Sequence, residues 1–172
     1  MATYRLIQQR LFDLCRNATD SAQDELDLLK NILLELKKQD RLYLIDAEDE
    51  THRAPFFHAI ENGKSLEFLR QFLDYEVRLT HRILLCAIRY GNLDILKLLH
   101  QYGADFRQSY YSISLLHECI LLHKNDLISF LIEQGEVSEL RMFSLFRKRK
   151  FRSIPMRLIM IIKLRYCSLY IV

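Results

Sequence analysis

The sequence predicts an all-α chain, a solenoid of stacked helix pairs joined by short connecting loops. Three observations carry this reading. Apolar residues recur at three- and four-residue spacings, and period-two alternation is rare. Glycine occurs only four times in 172 residues, always as punctuation: Gly63 and Gly91 each separate two apolar runs, and Gly103 and Gly135 close the second run. The stretch from Ala87 to Asp105 shows the unit in full, as helix, Gly turn, helix, Gly stop and short loop. A helix pair of that length cannot bury its own apolar face, so it needs stacked neighbours. Glycine is expected at the turns and stops for its left-handed backbone.

Taken in order, residues 4–16 put Tyr4, Ile7, Leu11 and Leu14 on one helical face, with Leu6 and Phe12 widening the stripe. A polar break from Asn17 to Ser21 offers helix-capping side chains. A second amphipathic helix is expected over 22–38. Its face is Leu26, Leu29, Ile32, Leu33 and Leu36, broadened by Leu28 and Leu34, and Lys37 and Lys38 suit its C-terminal end.

The next segment runs Ile45-Asp46-Ala47-Glu48-Asp49-Glu50-Thr51-His52-Arg53-Ala54-Pro55-Phe56-Phe57-His58-Ala59. It resembles the loop and first-helix signature of the ankyrin repeat, roughly V-N-A-x-D-x-x-G-x-T-P-L-H-x-A. Ile45, Asp46, Ala47 and Asp49 fall on V, N, A and D, and Pro55, Phe56 and Ala59 on P, L and A. Pro55 suits the first turn of a helix, where no amide partner is lost. His52 stands where the family usually has Gly and Ala54 where it has Thr, so a differently shaped turn is expected. Ala59, Ala87 and Cys119 share the small-residue site of three first helices, and Asp94 and Asp126 correspond in second helices. Gly63 and Gly91 are 28 residues apart and Gly103 and Gly135 are 32 apart, against a family period of about 33. A shortened loop around Asp74–Thr80 accounts for the first gap. In the third unit His123 replaces the inter-helix Gly. Residues 1–40 are then read as an N-terminal helix pair capping the array, 41–138 as about three repeats, and 139–172 as a basic apolar tail or cap helix.

Composition narrows the class. Hydrophobic residues make up 50% and charged residues 27%, which suits a globular chain. There is no Trp, only two Pro and no Ser/Gly-rich linker, which disfavours flexibly joined domains. The formal charge of +3 hides an asymmetry: residues 1–139 hold 16 basic and all 22 acidic residues, a net −6, and residues 140–172 carry +9. The tail contains the run Arg147, Lys148, Arg149, Lys150, and its last 19 residues are apolar but broken by Arg157, Lys163, Arg165 and Pro155. A cap helix with a basic outer face, a membrane-surface segment, and the end of a truncated array all fit; a membrane span does not. No signal peptide is expected from residues 1–14, which include Arg5, Arg10 and Asp13. The four cysteines form no CxxC pair and are read as buried thiols of a reducing, cytoplasmic compartment.

No phosphate loop, GxSxG elbow or HExxH motif is present, and no catalytic residue, cofactor or metal site is expected. Cys119 and His123 are four apart, but no second pair completes a zinc site. Glu48, Asp49 and Glu50 read as a solvated loop or a contact for a basic partner. The resemblance implies that His117, at the family's recurring His position, is structural. It also implies a protein partner, of unknown identity, bound through loop tips and the first-helix face by a monomer. Carried over by position, that face takes Glu50, Thr51 and Arg53 from the first loop. From the first helices it takes Glu61 and Asn62, then Arg89 and Tyr90, then Leu121 and Leu122. Tyr102 joins it, and Tyr110 and Tyr111 sit near the third loop tip. Degenerate, Gly-poor repeats of this kind look like those of intracellular bacteria and large viruses, which implies a host-directed effector. Two alternatives remain: membrane-surface or nucleic-acid association through the basic tail, and an ankyrin-type inhibitor of host transcription-factor signalling.

Overall fold

In the computed structural model, the described residues are 2–17, 21–107, 109–110 and 113–134. They fall in two compact units, Met1–Ala104 and Asp105–Val172. The first unit contains α1 (Ala2–Arg16), α2 (Ala22–Lys38), a 3-10 turn (Leu42–Asp46), α3 (Pro55–Glu61), α4 (Leu66–Leu73), α5 (His81–Tyr90) and α6 (Leu93–Gln101). The second contains β1 (Ser109–Tyr110), β2 (Ile113–Ser114), α7 (Leu115–Leu121) and α8 (Asn125–Glu133). The all-α expectation holds, with one small addition: β1 and β2 pair antiparallel, Ser109 opposite Ser114 and Tyr110 opposite Ile113.

Within the first unit the helices form two layers. The first helices α1, α3 and α5 pack in succession, and the second helices α2, α4 and α6 do the same behind them. Small, fully buried residues allow the first layer to close: Cys15, Ala59 and Ala87. Side-chain caps set where several helices begin. Ser21 accepts from the Asp24 amide at 3.4 Å, Ser65 from Phe68 at 3.2 Å and Asn92 from Ile95 at 3.0 Å. Pro55 opens α3 in place of a side-chain cap. Between the layers, Phe56, Phe68 and Phe72 are fully buried, with ring centroids 5.6 Å (Phe56–Phe72) and 5.8 Å (Phe68–Phe72) apart. Burying such a ring stabilises the fold by about 1.5–3 kcal/mol.

One buried ion pair joins three segments. Lys64 Nζ donates to Glu25 Oε1 of α2 and to the Asn17 carbonyl after α1, both at 2.6 Å, from side chains only 4% (Lys64) and 11% (Glu25) exposed. The ammonium also sits 5.5 Å from the Phe68 ring centroid. Losing either partner would strand a buried charge.

The second unit is built the same way. Leu115, Leu116, Cys119 and Ile120 on α7 and Leu127, Ile128 and Leu131 on α8 are buried, and Phe106 meets Phe130 edge to face at 6.2 Å.

Some sequence expectations are corrected. Leu6 is 59% exposed, Leu34 46% and Leu28 36%, so they do not widen the buried faces of α1 and α2. Each lies outside the arc that faces the neighbouring helices. Left-handed backbone recurs as expected but rarely on glycine. Asp40, Glu76 and Gly103 close α2, α4 and α6 with φ of 55°, 59° and 80°. Gly63 and His123 make the turns inside two pairs at 68° and 56°, and His52 is left-handed at 57° in spite of not being Gly. At four of these sites the next amide reaches a carbonyl five residues back: Arg41 to Leu36, Lys64 to Ala59, Ala104 to Leu99 and Lys124 to Cys119, all near 3.0 Å. Gly91 departs from the expectation, with φ −82° and extended backbone. Glycine is needed there for space, because a Cβ would lie 2.5 Å from the Ala87 carbonyl oxygen. Gly135 and the tail from 139 onward lie outside the described residues.

These two uses of glycine give opposite mutational signs. Gly91→Ala should lower unfolding stability by about 2 kcal/mol, because backbone must move. Glu76→Gly should raise it by about 0.5–1 kcal/mol by relieving the left-handed strain. Urea denaturation followed by circular dichroism measures both.

Candidate functional site

A dense polar cluster of the first unit is built around Asp49, in the loop that leads into α3. Asp49 Oδ1 accepts from the Thr51 amide at 2.8 Å, the Thr51 hydroxyl at 2.6 Å and the Arg53 amide at 3.1 Å. The loop closes on itself where the Asp49 amide donates to the Arg53 carbonyl at 3.0 Å. The other oxygen, Oδ2, faces His58 Nε2 on α3 at 2.8 Å and receives Arg16 of α1. Burial alone would raise this carboxyl. The hydrogen bonds from Thr51, His58 and the two amides outweigh burial and hold it well below the usual carboxylate range.

The cluster continues along α3. Arg53 Nη1 donates to both oxygens of Glu61, at 3.1 and 2.9 Å, and Glu61 Oε2 lies 3.5 Å from His58 Nδ1. The Arg16 guanidinium sits 5.0 Å from the Phe12 ring centroid, and that of Arg53 4.9 Å from Phe57. Asn62 ties the end of α3 to α1 by donating to the Cys15 carbonyl at 3.3 Å. An Asp–His pair of this geometry is the orienting half of an acid–base dyad. Here both ring nitrogens of buried His58 face carboxylates, so neither is open to a substrate. The cluster fixes the loop against α1 and α3.

The structure therefore divides the residues expected at a partner surface. Thr51, Arg53, Glu61 and Asn62 have their polar groups engaged within the chain. Glu50 is exposed on the loop, and Arg89 and Tyr90 are exposed at the end of α5, Tyr90 by 55%. Leu121 and Leu122 end α7 and its turn with 51% and 40% exposure. Tyr102 closes α6, a second helix, and its hydroxyl donates to Asp74 at 2.6 Å. That hydrogen bond raises the phenol's pKa. Only the backbone of Tyr110 is described; Tyr111, Arg147, Lys148, Arg149 and Lys150 lie outside the described residues.

Asp49 is not part of a solvated acidic loop, as the sequence suggested. Its position on the repeat signature was visible, but Arg16 is 33 residues away and His58 stands on a variable position, so the cluster had no local signature. Cys15, Cys86 and Cys119 are free and buried. Burial pushes the Cys86 and Cys119 thiols up to about 12, and Cys15 further in the same direction. Among the described residues no group of three or more His, Cys, Asp or Glu is placed to hold a metal ion.

Helix pairs stacked in two layers, with a Pro-initiated first helix and an Asp-centred loop before it, define a repeat unit. Two overlapping stretches, 18–110 and 56–141, match a family model of ankyrin repeats in three copies. The chain belongs to the ankyrin-repeat family. No curated protein and no solved structure matches it. Ankyrin repeats generally mediate protein–protein interaction and are typically non-enzymatic modules. The match begins in the break before α2, and so includes that helix with the repeats.

The depressed Asp49 carboxyl makes the stability of this ankyrin unit pH-dependent with a definite sign. The native state resists protonation more than the unfolded chain, whose Asp titrates at about 3.9. The stabilisation is present above that pH and is lost as pH falls below it. Asp49→Asn should lower stability at neutral pH by about 1.5–3 kcal/mol and flatten the fall on acidification. Urea midpoints across a pH series measure both effects.

Proposed function

We propose that this ankyrin chain is a non-enzymatic interaction module that binds a partner protein through the exposed side of its first helices and the adjoining loop tips. The observation that supports it best is Tyr90, a large aromatic left 55% exposed at the end of a first helix whose other apolar residues are buried or half-buried. Exposed Tyr and Arg side by side, as at Arg89 and Tyr90, are the residue types that dominate interface energies. The Asp49 cluster supports the reading by presenting this surface on a stiff loop.

Cys15, Cys86 and Cys119, free and buried, suit a reducing compartment such as the cytoplasm; Cys167 lies outside the described residues. Among the described residues no helix is long and apolar enough to cross a membrane. The host-directed role enters by analogy with degenerate arrays of similar sequence, and the chain is taken as a monomer. The second reading, tail association with an anionic membrane surface or nucleic acid, is supported by the +9 charge of residues 140–172. Inhibition of transcription-factor signalling is a narrower form of the main reading.

The test is quantitative capture of a partner by the tagged chain. Tyr90→Ala should weaken recovery by about thirtyfold, the loss of a typical hot spot of about 2 kcal/mol. Leu34→Ala, at an exposed site on a second helix, should leave recovery unchanged. Equal recovery by both variants would remove the proposed face.

A further inference from the structure

The chain has five asparagines, Asn17, Asn31, Asn62, Asn92 and Asn125, and only Asn62 precedes a glycine. That pairing carries its own chemistry. The backbone nitrogen after an asparagine can attack the side-chain amide carbon, expel ammonia and close a cyclic imide. Glycine has no Cβ to shield that nitrogen. Water then opens the ring at either carbonyl. The products are aspartate and isoaspartate, whose main chain runs through the former side chain. The proton of the attacking nitrogen leaves with the ammonia, water is consumed, and no oxidant or reductant is needed.

Asn62 and Gly63 form the exposed turn after α3, where Gly63 is left-handed at φ 68°. A Cβ built on Gly63 would meet nothing within 4 Å, so water reaches the turn. The fold nevertheless holds the reaction back in three ways. Asn62 has ψ 9°, which turns the Gly63 nitrogen away from the Asn62 side chain. The Gly63 amide donates to the Ile60 carbonyl at 3.1 Å. The Asn62 side-chain amide, the group that must leave, donates to the His58 carbonyl at 2.9 Å and to the Cys15 carbonyl of α1 at 3.3 Å. The first two restraints belong to the end of α3. The third depends in part on α1 being docked.

We propose that Asn62-Gly63 is a site of spontaneous deamidation gated by α1, and that conversion releases α1 from the array. The site lies between two ties to that end of the chain. Asn62 holds the Cys15 carbonyl, and buried Lys64 holds the Asn17 carbonyl and Glu25, both at 2.6 Å. Conversion replaces an amide donor by a carboxylate, which only accepts. It then faces two carbonyl oxygens with no hydrogen to offer them. The isoaspartate product also lengthens the main chain just before Gly63, which shifts Lys64 in its buried pair. Docked α1 protects the site, an opened α1 exposes it, and the products hold α1 less well, so the change runs one way.

The test incubates the full chain at mildly alkaline pH beside a synthetic peptide of residues 54–64, and follows both by mass spectrometry, the chain after trypsin digestion. Trypsin cuts after Arg53 and Lys64, and Asn62 is the one side-chain amide in that fragment. The fragment should gain the mass of amide-to-acid conversion and separate into aspartate and isoaspartate forms. The folded chain should convert at least about tenfold more slowly than the peptide. Arg16→Gln removes the α1 tie to Asp49, leaves Asn62 untouched, and should convert faster than the parent. Asn62→Asp, which mimics one product, should raise amide hydrogen exchange severalfold in α1 and leave α5 and α6 as in the parent. The inference is overturned if parent and peptide convert at one rate, or if the parent stays unconverted through many half-lives of the peptide. It also falls if Arg16→Gln converts as the parent does, or if Asn62→Asp leaves α1 exchange unchanged or raises exchange equally throughout the first unit.

Discussion

The Asp49 carboxylate is the constraint on which the first unit depends. The helix it precedes, α3, has only seven residues, too few to hold its shape alone in water. Its stability comes from packing, and packing requires that the loop before it arrive in one conformation. A single carboxylate accepting from Thr51, Arg53, His58 and Arg16 fixes that loop and ties it to both α1 and α3. The His52 backbone is held left-handed inside the same turn. Strain at one residue is offset by bonds to its neighbour, as expected where the surroundings over-determine a conformation.

The same cluster explains the division of labour along the first helices. Where a carboxylate is available in the chain, as at Arg16 and Arg53, the arginines are used to build the scaffold. At α5, the helix that ends at exposed Tyr90, the repeat carries Arg82 where Ala54 stood, and its guanidinium donates to the His52 carbonyl at 2.9 Å. A stiff scaffold lowers the ordering cost of binding. The cluster itself offers no open acid or base, since His58 is enclosed by Asp49 and Glu61.

Elements held by periodicity were legible in the sequence; those held by distant side chains were not. The α2 boundaries at Ala22 and Lys38 and the complete unit at α5 and α6 follow from apolar spacing and glycine punctuation. Helix stops at Asp40 and Glu76 were illegible, because these residues take a left-handed backbone that sequence reading assigns to glycine. Leu6, Leu28 and Leu34 misled because a leucine at the edge of an apolar stripe reads the same whether it is covered or not. In the candidate site, the exposure of Arg89 and Tyr90 at the end of α5 was legible from their position in the repeat. The engagement of Thr51, Glu61 and Asn62 was not, because their partners come from the loop before α3, from Arg53 and from the end of α1.

The hold of Asp49 on α3 is measured by a double-mutant cycle between Asp49→Ala and His58→Ala, read by urea unfolding. If Asp49 holds α3 through His58, the two changes share one loss, with a coupling energy of about 1–3 kcal/mol. Effects that simply add, to within about 0.3 kcal/mol, would show that the loop and the helix are held independently, and would contradict the account.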